Sequence, residues 1–129
     1  MNENTVRPQV HVVDDDEGVR SMLSLLVESW GMEPRVHADA QSFLESGFGN
    51  GSGPHCLILD LQMPGMNGAE LREALQARGA DIPTVVLTAR PNDPLAQRAL
   101  TAGARTVLAK PFDAARLETE VRRAVEDAA

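Results

Sequence analysis

Residues 56–68 read CLILDLQMPGMNG. The four apolar residues at the start are typical of a buried β-strand, and Asp60 follows them directly. A loop then leads to Asn67, which together with Glu70 resembles a capping box at the start of a helix. A strand, a loop and a helix in this order form the repeating unit of an α/β fold with a parallel sheet. This stretch therefore predicts one such unit with a carboxylate at the carboxyl end of its strand.

Three further apolar runs end in polar residues in the same way. They are residues 10–13 before Asp14 and Asp15, residues 84–87 before Thr88, and residues 106–109 before Lys110. Because the carboxyl ends of parallel strands share the edge of the sheet where ligands bind, we expect these polar residues and Asp60 to converge. Three carboxylates repel one another and suit a hard divalent cation, while a lysine and a hydroxyl suit a phosphoryl group. The sequence thus predicts a site for phosphate chemistry.

Strands and helices alternate strictly, which predicts an α/β fold: a single doubly wound domain of five βα units with a five-stranded parallel sheet. Pro34 removes a backbone donor from the second strand, and this favours a position at the edge of the sheet. The expected elements are strands at 9–13, 33–38, 56–59, 83–87 and 106–109, and helices from Glu17 to Trp30, from Asp39 through Leu44, from Asn67 to Gly79, from Asp93 to near Gly103 and from Asp113 onward.

The composition fits one domain that buries its own core. The chain has 129 residues, of which 43% are hydrophobic, and a formal net charge of −7. This negative charge and the scattered Lys and Arg residues argue against direct binding of nucleic acid or of an anionic membrane surface. The N-terminus has no apolar signal region, and no stretch approaches the roughly 18–20 apolar residues of a membrane span. We therefore expect a soluble, cytoplasmic protein.

Several residues are of types that are catalytic or ligand-binding in other proteins, but their sequence context here favours a structural role. Cys56 lies in an apolar run, where a buried thiol is favoured over a nucleophile. His11, His37 and His55 show no metal-ligand spacing to one another or to Cys56, so we interpret them as ordinary strand and loop residues. The glycine-rich residues 47–54 lack the lysine of a P-loop and lead from a helix into a strand, so they predict a flexible surface connection.

Four stretches of the chain resemble the receiver domain of two-component response regulators. They are VVDDD at 12–16, LDLQMPGMNG at 59–68, LTA at 87–89 and AKPF at 109–112. Each is weak alone, but the four in this order and spacing are highly specific. The resemblance runs from about Gln9 to about Ala124 and implies a flavodoxin-like fold with strand order 2-1-3-4-5. We predict a receiver domain at residues 9–127 and a disordered or extended tail at residues 1–8.

The resemblance implies a role for each acidic residue of the site. Asp60 matches the phosphoacceptor, whose carboxylate attacks the phosphorus of a phosphohistidine and becomes an acyl phosphate. Asp15 matches the direct ligand of Mg²⁺, Asp14 its neighbour that acts through a water, and Gln62 the residue that supplies a backbone carbonyl to the metal, with Mn²⁺ as a substitute. The implied chemistry is self-catalysed phosphorylation and autodephosphorylation of Asp60, rather than a stand-alone metabolic activity.

The resemblance also assigns the residues that respond to phosphorylation. Lys110 matches the lysine that pairs with a phosphoryl oxygen, and Thr88 matches the hydroxyl that moves to hydrogen-bond another, so that phosphorylation changes the conformation. Ala89 and Pro111 belong to the same motifs and are expected to modulate the site. In the family the peptide bond before Pro111 is commonly cis, which would aim Lys110 into the site.

Three positions are expected to make this chain behave differently from the common pattern. Val107 stands where the family usually has Tyr or Phe, so no aromatic ring is available to move inward with Thr88. Gln62 and Arg90 stand two residues after Asp60 and Thr88, where side chains tune the access of water to the acyl phosphate. Our hypothesis is that Arg90 shields or clamps the phosphoryl group and changes its lifetime.

The implied phosphodonor is a sensor histidine kinase or a histidine phosphotransfer protein. The output is open between an unknown downstream protein, a fused effector domain and a phosphorylation-dependent homodimer. The chain is either a free-standing receiver, which its end just after the fifth helix slightly favours, or the N-terminal receiver of a DNA-binding transcriptional regulator.

Two other classes of function explain less of the sequence. A phosphatase of the haloacid-dehalogenase type also uses an aspartate nucleophile and Mg²⁺, but residues 60–62 read Asp-Leu-Gln and lack the second acid of its Asp-x-Asp motif. A binding module that keeps the receiver fold without being phosphorylated would have no need for the intact set of site residues.

Overall fold

The computed structural model describes residues 7–48 and 53–128. Most of the predicted N-terminal tail at 1–8 and the centre of the glycine-rich connection at 47–54 lie outside the described residues. The strands are β1 Gln9–Val13, β2 Glu33–His37, β3 His55–Asp60, β4 Thr84–Thr88 and β5 Thr106–Ala109. The helices are α1 Glu17–Ser29, α2 Ala40–Glu45, α3 Gly68–Ala77, α4 Pro94–Thr101 and α5 Ala114–Ala128.

The strands form one parallel sheet in the order β2-β1-β3-β4-β5, which confirms the predicted topology. β2 lies at the edge, as the position of Pro34 predicted. β3 runs from His55 to Asp60, one residue further at each end than expected, and β4 ends at Thr88, one residue later than expected. The predicted start of β4 at Pro83 was one residue early, because proline has no N–H to donate to the ladder; its carbonyl instead accepts a hydrogen bond from Leu57.

Apolar side chains cover both faces of the sheet. On one face α1 and α5 bury Leu23, Val27, Leu117 and Val121 against strand residues that include Ile58. The other face packs against α2, α3 and α4 through two further groups of buried residues. A fully buried leucine or valine contributes roughly 1.5–3 kcal/mol relative to an exposed one, so these two layers provide the main stabilisation. The sheet edge that carries the polar residues is therefore held by a core on each side.

Side-chain caps start the helices at the predicted positions. Asp16, Asp39 and Asp93 each accept a hydrogen bond from a backbone N–H of the helix that follows. Asn67 and Glu70 form the complete capping box of α3, with both hydrogen bonds at 2.9 Å. These caps fix where each strand-to-helix loop ends, and with it the part of the chain that carries the site.

A buried arginine joins α3 to the next βα unit. Arg72 is 5% exposed, and its Nε donates to the carbonyl oxygen of Ala102 at the end of α4. Its Nη1 donates to the carbonyl oxygen of Ile82 and to the hydroxyl of Thr84 at the start of β4. These partners satisfy a charge that would be costly to bury alone. The guanidinium therefore fixes the C-terminal end of α4 relative to α3.

None of the helices described in residues 7–48 and 53–128 is long and apolar enough to cross a membrane.

Candidate functional site

The three predicted carboxylates converge at the carboxyl edge of the sheet. Asp14 and Asp15 follow β1, and Asp60 is the last residue of the neighbouring β3. Each contributes one carboxylate oxygen to a group whose members lie within 4.8 Å of one another. Asp14 and Asp60 are buried, with exposures of 2% and 7%, whereas Asp15 is exposed. The site therefore has two acids at its base and one at its mouth.

Lys110 bridges the two buried acids. Its Nζ lies 2.9 Å from Oδ2 of Asp14 and 3.4 Å from Oδ1 of Asp60. The residue directly follows β5, and its backbone N–H donates to the carbonyl oxygen of Thr88. The peptide bond between Lys110 and Pro111 is cis, which is the form that the family resemblance implied. The ammonium group of Lys110 therefore contacts both Asp14 and Asp60 directly.

Burial and the negative charge of Asp14 have the largest effects on the pKa of Asp60. Burial, followed by the negative charge of Asp14, raises the pKa of Asp60 to about 6 even though Lys110 opposes the shift. Burial lowers the pKa of Lys110, but the hydrogen bond to Asp14 and the charges of Asp60 and Asp14 outweigh it and leave this pKa above its ordinary value. The lysine is therefore charged at neutral pH, and the aspartates repel each other in spite of it.

Thr88 is fully buried and its hydroxyl is held by a neighbouring loop. The hydroxyl donates to Oε1 of Gln62 at 2.7 Å and accepts a hydrogen bond from the backbone N–H of Arg90 at 3.0 Å. The Nε2 atom of the Gln62 side chain is buried and forms no hydrogen bond with any described residue. A move of Thr88 towards Asp60 must therefore break its hydrogen bond to Gln62.

The loop after Asp60 ends at Gly68, where the backbone of Asp60 leaves no space for a side chain. The N–H of Gly68 donates to the carbonyl oxygen of Leu61. A Cβ atom at this position would lie 2.4 Å from the carbonyl oxygen of Asp60 and 2.9 Å from the Cα atom of Leu61. The first turn of α3 therefore packs directly on the backbone of the acid, and only a residue without a side chain allows this approach.

Three further predicted positions lie in the loop after β4 and in β5. Ala89 and Arg90 are exposed in the loop after β4. Val107 is half-buried and packs against a small cluster that contains Ala96 and Ala99 of α4. It therefore contacts the helix that follows Thr88, but through a short aliphatic side chain.

The sequence indicates the positions of the acids, Lys110 and Thr88, but it does not indicate two contacts of the site. For Gln62 it predicts only a backbone carbonyl and a general effect on water access, whereas the side chain also accepts the hydrogen bond from Thr88. The close packing of Gly68 on the backbone of Asp60 is the second contact, although a glycine at the start of a predicted helix is a signal of such packing.

Comparisons with known proteins agree with this geometry. The family described as the response regulator receiver domain matches residues 10–122. The transcriptional regulatory protein FixJ of Azorhizobium caulinodans is 42% identical over 113 residues, which are 88% of this chain and 53% of FixJ. This chain thus spans about half the length of that relative.

Solved structures give the same result. The response regulator StyR superimposes with a TM-score of 0.87 at 39% identity, over 95% of this chain and 61% of StyR. The crystal structure of FixJ-N has a TM-score of 0.83 at 34% identity, over 95% of this chain and 96% of that one. Family, fold and the cluster of acids with a bridging lysine agree, and the chain therefore belongs to the response regulator receiver domain family.

Proposed function

We propose that the chain is a phosphorylation-activated switch that accepts a phosphoryl group on Asp60 from a histidine kinase or a histidine phosphotransfer protein. The observation that carries this proposal is the position of Asp60, a buried carboxylate at the carboxyl edge of the sheet with Asp14 and Lys110 beside it. Response regulators as a family receive their phosphoryl groups from histidine kinases, which supports the choice of donor.

In the proposed step, an oxygen of the Asp60 carboxylate attacks the phosphorus of a phosphohistidine. A new O–P bond forms to Asp60, and the N–P bond to the imidazole breaks. The imidazole nitrogen leaves with the electron pair and is neutralised by a proton from solvent. Lys110 contacts the nucleophile before the reaction, and its ammonium group is available to pair with a phosphoryl oxygen afterwards.

The residues that would hold Mg²⁺ are Asp15, Asp14 and Asp60 with the backbone carbonyl of Gln62. Three carboxylates with oxygens within 4.8 Å of one another are the hard oxygen donors that Mg²⁺ prefers, and Mn²⁺ suits the same donors. The raised pKa of Asp60 agrees with this fit, because burial and then repulsion by Asp14 disfavour its negative charge, and a bound cation stabilises that charge. When bound, Mg²⁺ neutralises negative charge on the nucleophile and on the transferring phosphoryl oxygens.

Thr88 is the proposed link between phosphorylation and conformation. Its hydroxyl is bound to Gln62 in this structure, and a phosphoryl oxygen on Asp60 offers a stronger, charged acceptor. Exchange of one partner for the other releases Gln62 and moves the loop that carries Arg90, since the backbone of Arg90 donates to the same hydroxyl. Val107 then senses this change by aliphatic packing against α4 rather than by movement of an aromatic ring.

A groove beside the site suits a protein phosphodonor. It has a volume of about 410 Å³ and lies between α1 and the loop after β5, where Met22, Leu26 and Phe112 line it together with Lys110. Met22 and the nearby Leu25 are 43% and 70% exposed. Exposed apolar side chains next to a reactive group indicate where a partner binds, and we place the donor there.

The test of the proposed function is the intact mass of the chain after incubation with acetyl phosphate, with Mg²⁺ or with excess EDTA. We expect one phosphoryl adduct with Mg²⁺ and almost none with EDTA, because two buried carboxylates otherwise repel the anionic donor. An adduct that forms equally well with EDTA contradicts the proposal. If no adduct forms with acetyl phosphate or with any histidine kinase of the source organism, the non-phosphorylated binding module replaces the switch.

Arg90→Ala is expected to shorten the lifetime of the acyl phosphate by about fivefold. An exposed charge next to a phosphoryl group is worth about 1 kcal/mol, which corresponds to that change in rate. The measurement is the loss of the adduct with time by intact mass. Arg98→Ala is the matched control, because Arg98 is also exposed but pairs with Glu73 on α3. Equal lifetimes in Arg90→Ala and the wild type would refute the shielding role.

A second candidate function is that of a receiver within a transcriptional regulator. The relative with 42% identity is named as a transcriptional regulatory protein, and this chain covers 53% of it. An immunoblot of source cells with an antibody against this domain distinguishes the two candidates. A band near 13.9 kDa indicates a free-standing receiver, whereas a clearly larger band indicates a fused effector domain.

A further inference from the structure

The side chain of Gln62 occupies the one proton that the hydroxyl of Thr88 has to donate. That hydroxyl donates to Oε1 of Gln62 at 2.7 Å, and it accepts a hydrogen bond from the backbone N–H of Arg90 at 3.0 Å. A hydroxyl carries a single proton, so it cannot donate to a second acceptor at the same time. Gln62 and a phosphoryl group on Asp60 therefore compete for the same proton.

The orientation of the Gln62 amide follows from this contact. The hydroxyl of Thr88 donates to no other acceptor among the described residues, so the oxygen end of the amide faces it. The other end, Nε2, is buried and has no hydrogen-bond partner in residues 7–48 and 53–128. A buried donor without a partner is unfavourable and needs an explanation. The explanation here is that Thr88 holds the amide by its opposite end.

The backbone that carries Gln62 is fixed on both sides. The neighbouring residues Leu61 and Met63 are 0% and 8% exposed, and their side chains belong to two different buried clusters. The carbonyl oxygen of Leu61 also accepts the hydrogen bond from Gly68. Gln62 itself is only partly buried. Its side chain therefore reaches Thr88 from a segment of loop that is held in place.

Thr88 is the member of the pair that can turn. Its carbonyl oxygen accepts a hydrogen bond from the backbone N–H of Lys110 at 2.8 Å, which keeps the end of β4 beside β5. Rotation of the side chain about the Cα–Cβ bond leaves this pairing intact. Because threonine is β-branched, its side chain occupies a few discrete rotamers. The hydroxyl thus has separate positions, and Gln62 stabilises one of them.

We propose that Gln62 is a positioning residue that holds Thr88 turned away from Asp60 before phosphorylation. The role rests on the proposed function, since it concerns the same site. This restraint sets the fraction of the unphosphorylated chain in which Thr88 already faces Asp60, and therefore the apparent affinity for a phosphoryl group. It acts before the acyl phosphate exists, so it is separate from an effect of Gln62 on the access of water. A phosphoryl oxygen is a charged and stronger acceptor, so phosphorylation overcomes the restraint.

The test is a calorimetric titration with beryllofluoride in the presence of Mg²⁺, where beryllofluoride stands in for the phosphoryl group on Asp60. Gln62→Met keeps the length of the side chain and the backbone carbonyl, but its thioether is only a weak acceptor. We expect Gln62→Met to bind beryllofluoride about fivefold more tightly than the wild type, which is the change in affinity that one hydrogen bond of ordinary net strength produces.

The same substitution in two Thr88 backgrounds tests whether Gln62 acts through this hydroxyl. Thr88→Val removes the hydroxyl, and in this background Gln62→Met is expected to leave the affinity unchanged. Thr88→Ser keeps a hydroxyl and is the matched control, in which the gain is expected to persist. A direct effect of residue 62 on beryllofluoride would appear equally in both backgrounds.

The rotamer of Thr88 supplies a second measurement that needs neither metal nor phosphoryl group. Three-bond couplings from the γ-methyl carbon of Thr88 to its backbone nitrogen and carbonyl carbon report the torsion about the Cα–Cβ bond. We expect values of a single rotamer in the wild type and averaged values in Gln62→Met.

Two results of the titration would overturn the role of Gln62: equal affinities of the wild type and Gln62→Met, or a gain that persists in Thr88→Val. If the wild type itself does not bind beryllofluoride, the proposed function fails and the couplings of Thr88 decide alone. Unchanged couplings in Gln62→Met then overturn the restraint as well, and averaged couplings support it.

Discussion

Asp60→Asn incubated with acetyl phosphate and Mg²⁺ is expected to keep its unmodified mass, whereas the wild-type chain gains one phosphoryl group. The amide of asparagine is a far weaker nucleophile than a carboxylate, and the other two acids do not replace it. Asp14 is held by Lys110 at 2.9 Å and by the backbone N–H of Asp16, and Asp15 is exposed at the mouth of the site. The expected effect is complete loss of the adduct, measured by intact mass over time.

Asp16→Asn is the matched control for this variant. Asp16 lies in the same acidic stretch, but its side chain only caps α1, where its Oδ1 accepts a hydrogen bond from the backbone of Val19. Asparagine caps a helix equally well, so this variant is expected to gain the adduct as the wild type does. A normal adduct on Asp60→Asn would mean that another residue is the phosphoacceptor.

A stability measurement on Asp60→Asn distinguishes loss of the phosphoacceptor from loss of the fold. The folded-state pKa of Asp60 is about 6, above its ordinary value of 3.8, so ionisation of this group destabilises the folded protein. In metal-free buffer the variant is therefore expected to be more stable than the wild type at pH 7, by on the order of 2 kcal/mol. This difference should shrink as the pH falls through about 6 and vanish below pH 3.8. Urea unfolding at several pH values measures it.

Gly68→Ala is expected to destabilise the protein by on the order of 3 kcal/mol, although alanine is the better helix former. The added methyl group would lie 2.4 Å from the carbonyl oxygen of Asp60, and a backbone atom cannot rotate away as a side chain can. Either α3 or the end of β3 must move. Because a shift of about 1 Å in a reacting group can cost on the order of 100-fold in rate, phosphorylation is expected to slow by at least tenfold.

Gly18→Ala makes the same chemical change in the first turn of α1. Its methyl group would contact only the Asp16 carboxylate at 3.2 Å, which is the end of a side chain. We expect this control to be as stable as the wild type or slightly more stable, with an unchanged rate of phosphorylation. Urea unfolding and adduct formation compare the two variants, and equal stability of Gly68→Ala and the wild type would contradict the close packing at Asp60.

The sequence predicted the fold because its strands are short apolar runs that end in polar residues. This pattern is typical of a parallel sheet that is covered on both faces. The position of Pro34 also predicted the edge strand correctly. The carboxyl ends of β3 and β4 were each predicted one residue short. Asp60 and Thr88 remain in the hydrogen-bond ladder because their neighbouring strands continue beside them, and a single sequence does not show how far that pairing extends.

The convergence of the acids and Lys110 could be predicted because topology alone brings strand ends together. Contacts that depend on the direction of a side chain could not be predicted from the sequence. The hydrogen bond from Thr88 to Gln62 joins residues 26 positions apart, and the contact between His11 and His37 also spans 26 positions. Both need the register of neighbouring strands and the path of a loop, and neither leaves a periodic signal in the sequence.

The buried guanidinium of Arg72 holds the C-terminal end of α4 in place, so we expect any movement of this helix to be largest at its N-terminal end. The guanidinium holds the carbonyl of Ala102 at the C-terminal end of the helix, and Arg98 in the preceding turn forms an exposed salt bridge with Glu73 of α3. The other end of α4 begins at Pro94, soon after the loop that hydrogen-bonds to Thr88. A change at Thr88 is therefore expected to swing the first turn of α4 outward about its far end, without sliding the helix along its axis. A partner that distinguishes the two states would find the largest displacement at residues 94–97.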